Sequence, residues 1–393
     1  MLSYKPFAPI VKLALWLGIL IPAILATSCI QSRSIQDTTQ TQSQRLPIQN
    51  AEGFERAYQP IPLEFPADQG AHPGYLTEWW YYTGNLDTLS GQHFGYQLTF
   101  FRRALIPPTE RTKRSSAWAT DQIYLAHFAL TDVTANKFHA YERFARGAAG
   151  LAGATSPPFK VWLHDWKVEQ ISENEYQLHA SEESLTLDLY LRDIKGPILN
   201  GNAGYSQKGN QPGNASIYIS QTRLETNGTI QINQAKYDVT GFSWMDHEFS
   251  TSALSEDQVG WDWFSFQLDN GSEIMLFYLR KQDGSIDPFS SGTYIGPDGI
   301  PLHLTLNDFS IEILDTWRSP HSKAEYPSRW RVQVPSMNID LEVNPYIPDQ
   351  ELNLTFTYWE GAVKIQGVQN GETILGNGYV ELTGYSGAFA GDF

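Results

Sequence analysis

The chain has 393 residues, with 27 Lys and Arg against 43 Asp and Glu, giving a formal net charge of −16. That balance leaves no basic footprint for phosphates, which excludes nucleic acid as an expected partner and disfavours a peripheral grip on anionic lipid. Cys29 is the only cysteine, so no intramolecular disulfide can form.

Lys5 and Lys12 precede an apolar run over residues 13–25, and Ala26-Thr27-Ser28-Cys29 follows it. Small residues before a cysteine at the end of such a run form a lipobox-like site, with Ala26 where a leucine is more usual. Residues 1–28 read as a lipoprotein-type signal peptide cleaved before Cys29, whose thiol is then lipidated. The alternatives are an ordinary secretory peptide and an uncleaved anchor, for which the run is short. Several acyl chains on Cys29 would tie the protein durably to a membrane. Losing Lys5 and Lys12, and no acid, takes the charge from −16 to −18. The expected location is the bacterial cell envelope, and Ile30 in place of an acidic retention signal favours the outer membrane. Residues 29–53 are rich in Ser, Thr and Gln and read as a flexible tether.

The folded part is about 330 residues, enough for two domains. Strand signals dominate it. Residues 94–100, 185–191, 216–220, 331–334 and 352–358 alternate in polarity and are rich in β-branched and aromatic side chains. Turn signals punctuate them at Asn227-Gly228, Asp269-Asn270-Gly271, Asp283-Gly284, Asp298-Gly299 and Asn370-Gly371. Residues 121–128 fit a strand entering the core, and 141–151 are a candidate short helix weakened by glycines. The fold class is all-β. More than a dozen short strands exceed one compact barrel, so we divide the chain into a first domain over 54–255 and a second over 256–393.

Two tryptophan-rich segments place ionisable groups among large aromatics: Glu78-Trp79-Trp80-Tyr81-Tyr82, and Asp246-His247-Glu248 through Gly260-Trp261-Asp262-Trp263-Phe264. A carboxylate walled by indoles is poorly hydrated, so its acid form is favoured. Aromatic faces also suit an apolar substrate or a developing carbocation. In a strand, Glu78, Trp80 and Tyr82 share one face, while Trp79 and Tyr81 share the other. An inward face would then offer a carboxylate beside an indole and a phenol. Asp246 and Glu248 likewise oppose His247, and Asp262 lies on an otherwise apolar face. Each also has a structural reading, as a rim contact or a polar network at the domain junction. His127, in an apolar stretch, reads as a satisfied core residue. Tyr358, Glu360, Glu381 and Tyr385 read as packing and hydrogen-bond positions of the second barrel. No Walker loop, His-Glu-x-x-His, Gly-x-Ser-x-Gly or Cys-x-x-Cys motif is present. Three adjacent strand residues at 246–248 cannot converge on one ion, so no metal is expected there.

These segments carry a family resemblance. His72-Pro73-Gly74, Glu78 to Gly84, Phe94 to Arg102, Trp244 to Glu248, Gly260 to Phe264, Tyr358 to Val363 and Glu381 to Tyr385 together span nearly the whole folded part. On them the chain resembles the carotenoid 1,2-hydratase (hydroxyneurosporene synthase) and AttH-like family of lipocalin-related proteins. The resemblance implies two lipocalin-like antiparallel β-barrels in tandem, with a ligand pocket in or between them. It implies a cofactor-independent lyase that adds water across an isoprenoid, carotenoid-like double bond. Asp246 or Asp262 would be the proton donor, His247 would orient the acid or the water, and Glu78 would be a second carboxylate. Trp79, Trp80, Tyr82, Trp261 and Trp263 would line the substrate. The alternatives are a non-catalytic carrier of a hydrophobic small molecule and a secreted hydrolase of a lipophilic ester.

Overall fold

The computed structural model describes residues 51–387 except 113 and 253. The signal peptide, Cys29 and nearly all of the tether lie outside the described residues.

Among the described residues the chain forms two antiparallel sheets within one compact unit. The first holds β1 (Thr77–Asp87), β2 (His93–Ala104), β3 (Gln122–Asp132), β4 (Lys137–Arg146), β5 (Ala152–Thr155), β6 (Lys160–Leu163), β7 (Trp166–Ser172), β8 (Glu175–Glu182), β9 (Leu185–Asp193), β10 (Ile198–Leu199), β11 (Tyr205–Gln207), β12 (Ala215–Ile232) and β13 (Ala235–Ser250). The second holds β14 (Gln258–Leu268), β15 (Glu273–Lys281), β16 (Ser291–Ile295), β17 (Pro301–Thr305), β18 (Ser310–Arg318), β19 (Glu325–Val334), β20 (Ile339–Pro345), β21 (Glu351–Asn353), β22 (Thr357–Gln369) and β23 (Glu372–Leu382).

The first sheet runs β4-β3-β2-β1-β13-β12-β9-β8-β7-β6-β5, with β10 and β11 added to β12. Its two ends approach each other, β3 and β4 against β5 and β6. The second runs β17-β16-β15-β14-β23-β22-β20-β19-β18, with β21 on β22. Each curls around its own apolar core, one built on residues such as Trp80, Phe100 and Trp166, the other on Phe264, Trp330 and Trp359. These are two lipocalin-like barrels in tandem. A third core lies between them and includes Tyr81, Tyr218, Trp244, Trp263 and Phe277.

This third core explains a departure from alternation. Strands β8 and β9 bury every second residue, as a strand with one wet face should. Strands β1, β2, β12 and β13 are instead buried on both faces over long stretches, by their own barrel on one side and the other barrel on the opposite side. The unbroken aromatic run from Trp79 to Tyr82 is what such a strand requires. Gly95 permits the close approach: a Cβ there would stand 2.4 Å from the Cβ of Ala362 in the second sheet.

Two local expectations are corrected. Residues 141–151 hold no helix, because 137–146 pair with β3 as β4 and the chain then turns through Gly147 and Gly150. Asn227-Gly228 is not a turn but lies inside β12, paired with both β9 and β13. A Cβ at Gly228 would meet the backbone oxygen of Asp188 at 2.1 Å, so that glycine serves strand-to-strand approach. Asn370-Gly371 does form the β22–β23 turn, both residues with positive φ.

Candidate active site

The outer faces of the two sheets meet over their central strands. Cross-strand register sets Ser220, Asp246, Tyr81, Thr99 and His127 side by side across β12, β13, β1, β2 and β3. On the facing sheet, Phe277, Trp263, Glu381 and Glu360 form a second row across β15, β14, β23 and β22. Between them is a cavity of about 150 Å³. Its apolar wall includes Trp79, Phe101, Trp261, Trp263, Phe277 and Leu279, and its ionisable groups are Asp246, Glu248, Glu360, Glu381, Tyr81, Tyr218, Tyr358 and Lys208.

The carboxyl groups are unevenly supplied with cations. Asp246 accepts hydrogen bonds from Ser220 Oγ at 2.5 Å, Tyr218 OH at 2.6 Å and Trp244 Nε1 at 2.7 Å. These bonds favour its ionised form, yet burial outweighs them and pushes its pKa up to about 7, with Glu248 adding to the rise. Glu381 is likewise pushed up to about 7 by burial, against a 3.0 Å bond from Trp261 Nε1. Glu360 stands directly across β23 from Glu381 and is raised well above the usual carboxylate range, by burial first and by Glu381 second. Two ionised carboxylates opposite one another would repel. Glu360 Oε1 accepts from Tyr81 OH at 2.5 Å, while its buried Oε2 has no hydrogen-bond partner among the described residues. Among the described residues that line the cavity the one cation is Lys208, 3.4 Å from Glu248 Oε1 and over the ring faces of Phe277 and Tyr218, at 4.0 and 5.1 Å. The cavity therefore sets three carboxyl groups whose acid forms are favoured by burial beside aromatic walls, with one ion pair at the Lys208 position.

The structure brings Asp246, Trp79, Trp261 and Trp263 together in this cavity and separates the other expected site residues from it. Glu78, Trp80 and Tyr82 do face inward, but into the core of the first barrel, whereas the cavity is on the outer face. His247 joins Glu78 on that inner side. Glu78 Oε1 is 2.8 Å from both His247 Nε2 and His72 Nδ1, and Oε2 accepts from Arg102 Nε at 2.7 Å. Burial alone would raise the pKa of Glu78, but Arg102 and the two histidines hold it well below the usual carboxylate range. Trp80 stacks on His247 at 5.0 Å. Asp262 points into the second barrel, where Arg280 Nε donates to it at 2.8 Å and Tyr385 OH at 3.0 Å.

His72, Glu78 and His247 place three ligand-type atoms within 4.8 Å of one another. Glu78 is engaged by both histidines and by Arg102, His72 Nε2 also meets Asp68 Oδ1 at 3.2 Å, and the Arg102 guanidinium supplies positive charge such as an ion would bring. The set reads as an ion network.

The AttH-like family matches residues 56–385. The chain belongs to the AttH-like family. A protein assigned to AttH from Nitrosomonas europaea is 34% identical, with a TM-score of 0.73, over 83% of this chain and 99% of that one. Kievitone hydratase from Nectria haematococca shares the fold, with 16% identity and a TM-score of 0.63 over 85% of this chain and 98% of that one. No curated protein matches the chain in sequence.

Sequence reasoning about this AttH-like protein missed Glu360 and Glu381 as cavity groups. A signal was there. Glu360 interrupts the apolar run Tyr358-Trp359-Glu360-Gly361-Ala362-Val363, whose residues are all buried whichever way they face. A carboxylate in a strand with no wet face must be paired or neutral. Lys208 comes from the loop before β12 and no local pattern marks it.

Proposed function

We propose that this AttH-like protein is a cofactor-independent hydratase-like lyase, acting on an apolar, isoprenoid-like alkene held between its barrels. The observation that carries the reading is the convergence of Asp246, Glu360 and Glu381, all with raised pKa values, in an aromatic-walled cavity. Glu360 is the proton donor: burial favours its acid form, and one of its oxygens has no hydrogen-bond partner among the described residues. Its proton goes to the alkene carbon, the π bond supplies the electron pair, and the faces of Trp79, Trp261 and Trp263 stabilise the resulting cation. Water then adds to the cation, and Asp246 accepts the proton that water loses. A pKa of about 7 suits that exchange. The name of kievitone hydratase, borne by a protein of the same fold, supports the reaction class. The resemblance to carotenoid 1,2-hydratases supports the substrate class.

The leader and Cys29 support an exported protein, lipid-anchored in the bacterial envelope at the outer membrane. The test of function is mass spectrometry of apolar extracts incubated with purified protein. A product heavier by one water, made by the native protein and lost in both Glu360→Gln and Asp246→Asn, is the expected result. A compound that co-purifies unchanged with all three proteins would instead identify a carrier.

A further inference from the structure

His127 is fully buried and lies on the cavity-facing side of the first sheet, three strands from Asp246 in the row through Tyr81 and Thr99. Both of its ring nitrogens are engaged. Nδ1 is 2.7 Å from Tyr358 OH, and Nε2 is 3.1 Å from Glu142 Oε2. Tyr358 belongs to the second sheet and lines the cavity two residues before Glu360 on the same face of β22. Glu142 sits opposite His127 on β4, retains 21% of its side-chain exposure, and accepts from Thr355 Oγ1 at 2.5 Å. Thr99 lies beside His127 on β2, and Phe101 stands edge-on to it at 5.4 Å. Glu360, Glu381 and Tyr379 act beyond it, on Tyr358.

A histidine that merely fills a core needs one partner for each nitrogen, and any will do. Here one partner touches solvent and the other touches the cavity. We propose that Glu142, His127 and Tyr358 form a proton relay between solvent and the acid cavity. The proposal rests on the reading of that cavity as an acid site. In the resting state Nε2–H donates to Glu142 and Nδ1 accepts from the Tyr358 phenol. To discharge a proton, the phenol passes its own to Nδ1 and takes one from the cavity, which leaves an imidazolium. The imidazolium gives Nε2–H to Glu142, and Glu142 gives it to water. Reversing these steps recharges the acids, and no other reactant is needed. Tyr358 is the member that faces substrate, and His127 acts through it as a relay and positioning residue.

The test is infrared spectroscopy of the purified protein transferred to D2O, following the carboxylic-acid C=O band removed by Glu360→Gln. Glu142→Gln and Tyr358→Phe keep shape and break the relay at each end, so neither depends on a refolded His127 site. Each is expected to slow deuterium exchange of that band by about a hundredfold, a proton-transfer contribution of the usual size, without shifting the band itself. His127→Gln should do the same. Exchange as fast as in the native protein overturns the relay and leaves the acid cavity intact. A native spectrum with no such band overturns the acid cavity, and the relay with it.

Discussion

Strands β1 and β13 carry carboxyl groups on both faces, and the two faces hold them in opposite states. On the inner face Glu78 is buried with Arg102, His72 and His247 and is kept ionised. On the outer face Asp246 is buried just as deeply, among hydroxyl and indole donors, and its pKa climbs to about 7. Burial is common to both, so burial does not decide the outcome. The difference is the set of partners: Arg102 with His247 and His72 outweighs desolvation at Glu78, the neutral donors around Asp246 do not, and Arg280 alone does not at Asp262. One face thereby favours an ionised carboxylate and the other favours carboxyl groups in their acid form.

The comparison breaks most visibly at Arg102. Arg102→Met strands Glu78 as a buried, uncompensated charge and should cost about 3–5 kcal/mol of stability in urea denaturation. Asp246→Asn, which removes a group the fold prefers neutral, should leave stability at neutral pH equal or higher. Comparable losses in the two variants would contradict the distinction.

The pH dependence sharpens it next. Glu78 has a lowered folded pKa, so its stabilisation is present above the unfolded carboxylate value and is lost as the pH falls through the folded one. Asp246 and Glu381 are shifted the other way. Their contribution is full below the ordinary values of 3.8 and 4.5 and is lost as the pH rises to about 7. Stability should therefore fall across that window, and the double variant Asp246→Asn, Glu381→Gln should flatten the slope. Denaturation midpoints measured across the window decide it.

A smaller effect separates Trp79 from Tyr82. Trp79→Ala should weaken binding of an apolar fluorescent probe by about tenfold, as loss of a buried aromatic contact does, whereas Tyr82→Phe should leave binding unchanged. The Tyr82 hydroxyl is buried without a hydrogen-bond partner among the described residues, so its removal should change stability by less than about 1 kcal/mol or raise it. Weakened probe binding in Tyr82→Phe would move the site to the inner face.

Much of this was legible in the sequence. Alternation in residues 185–191, the turn at Asn370-Gly371 and the scarcity of helical periodicity all pointed to antiparallel barrels. Parity also divided Trp79 and Tyr81 from Glu78, Trp80 and Tyr82 in the way the structure does. What parity cannot show is which face meets a second barrel, because β1 is buried on both sides. Parity also set His247 on the face opposite Asp246, and the structure joins it there to Glu78, away from the cavity in which the resemblance gave it a role. The acids from the far sheet, Glu360 and Glu381, meet Asp246 only through tertiary packing. Their distance in sequence, more than any ambiguity of residue type, hid the site.

The most direct measurement is a carboxyl carbon-13 NMR titration of the native protein, with Asp246→Asn, Glu360→Gln and Glu381→Gln supplying the assignments. Asp246 and Glu381 should titrate at about 7, and Glu360 well above the usual carboxylate range. If all three titrate in the ordinary carboxylate range, the cavity holds no neutral acids at working pH and the proposed chemistry fails.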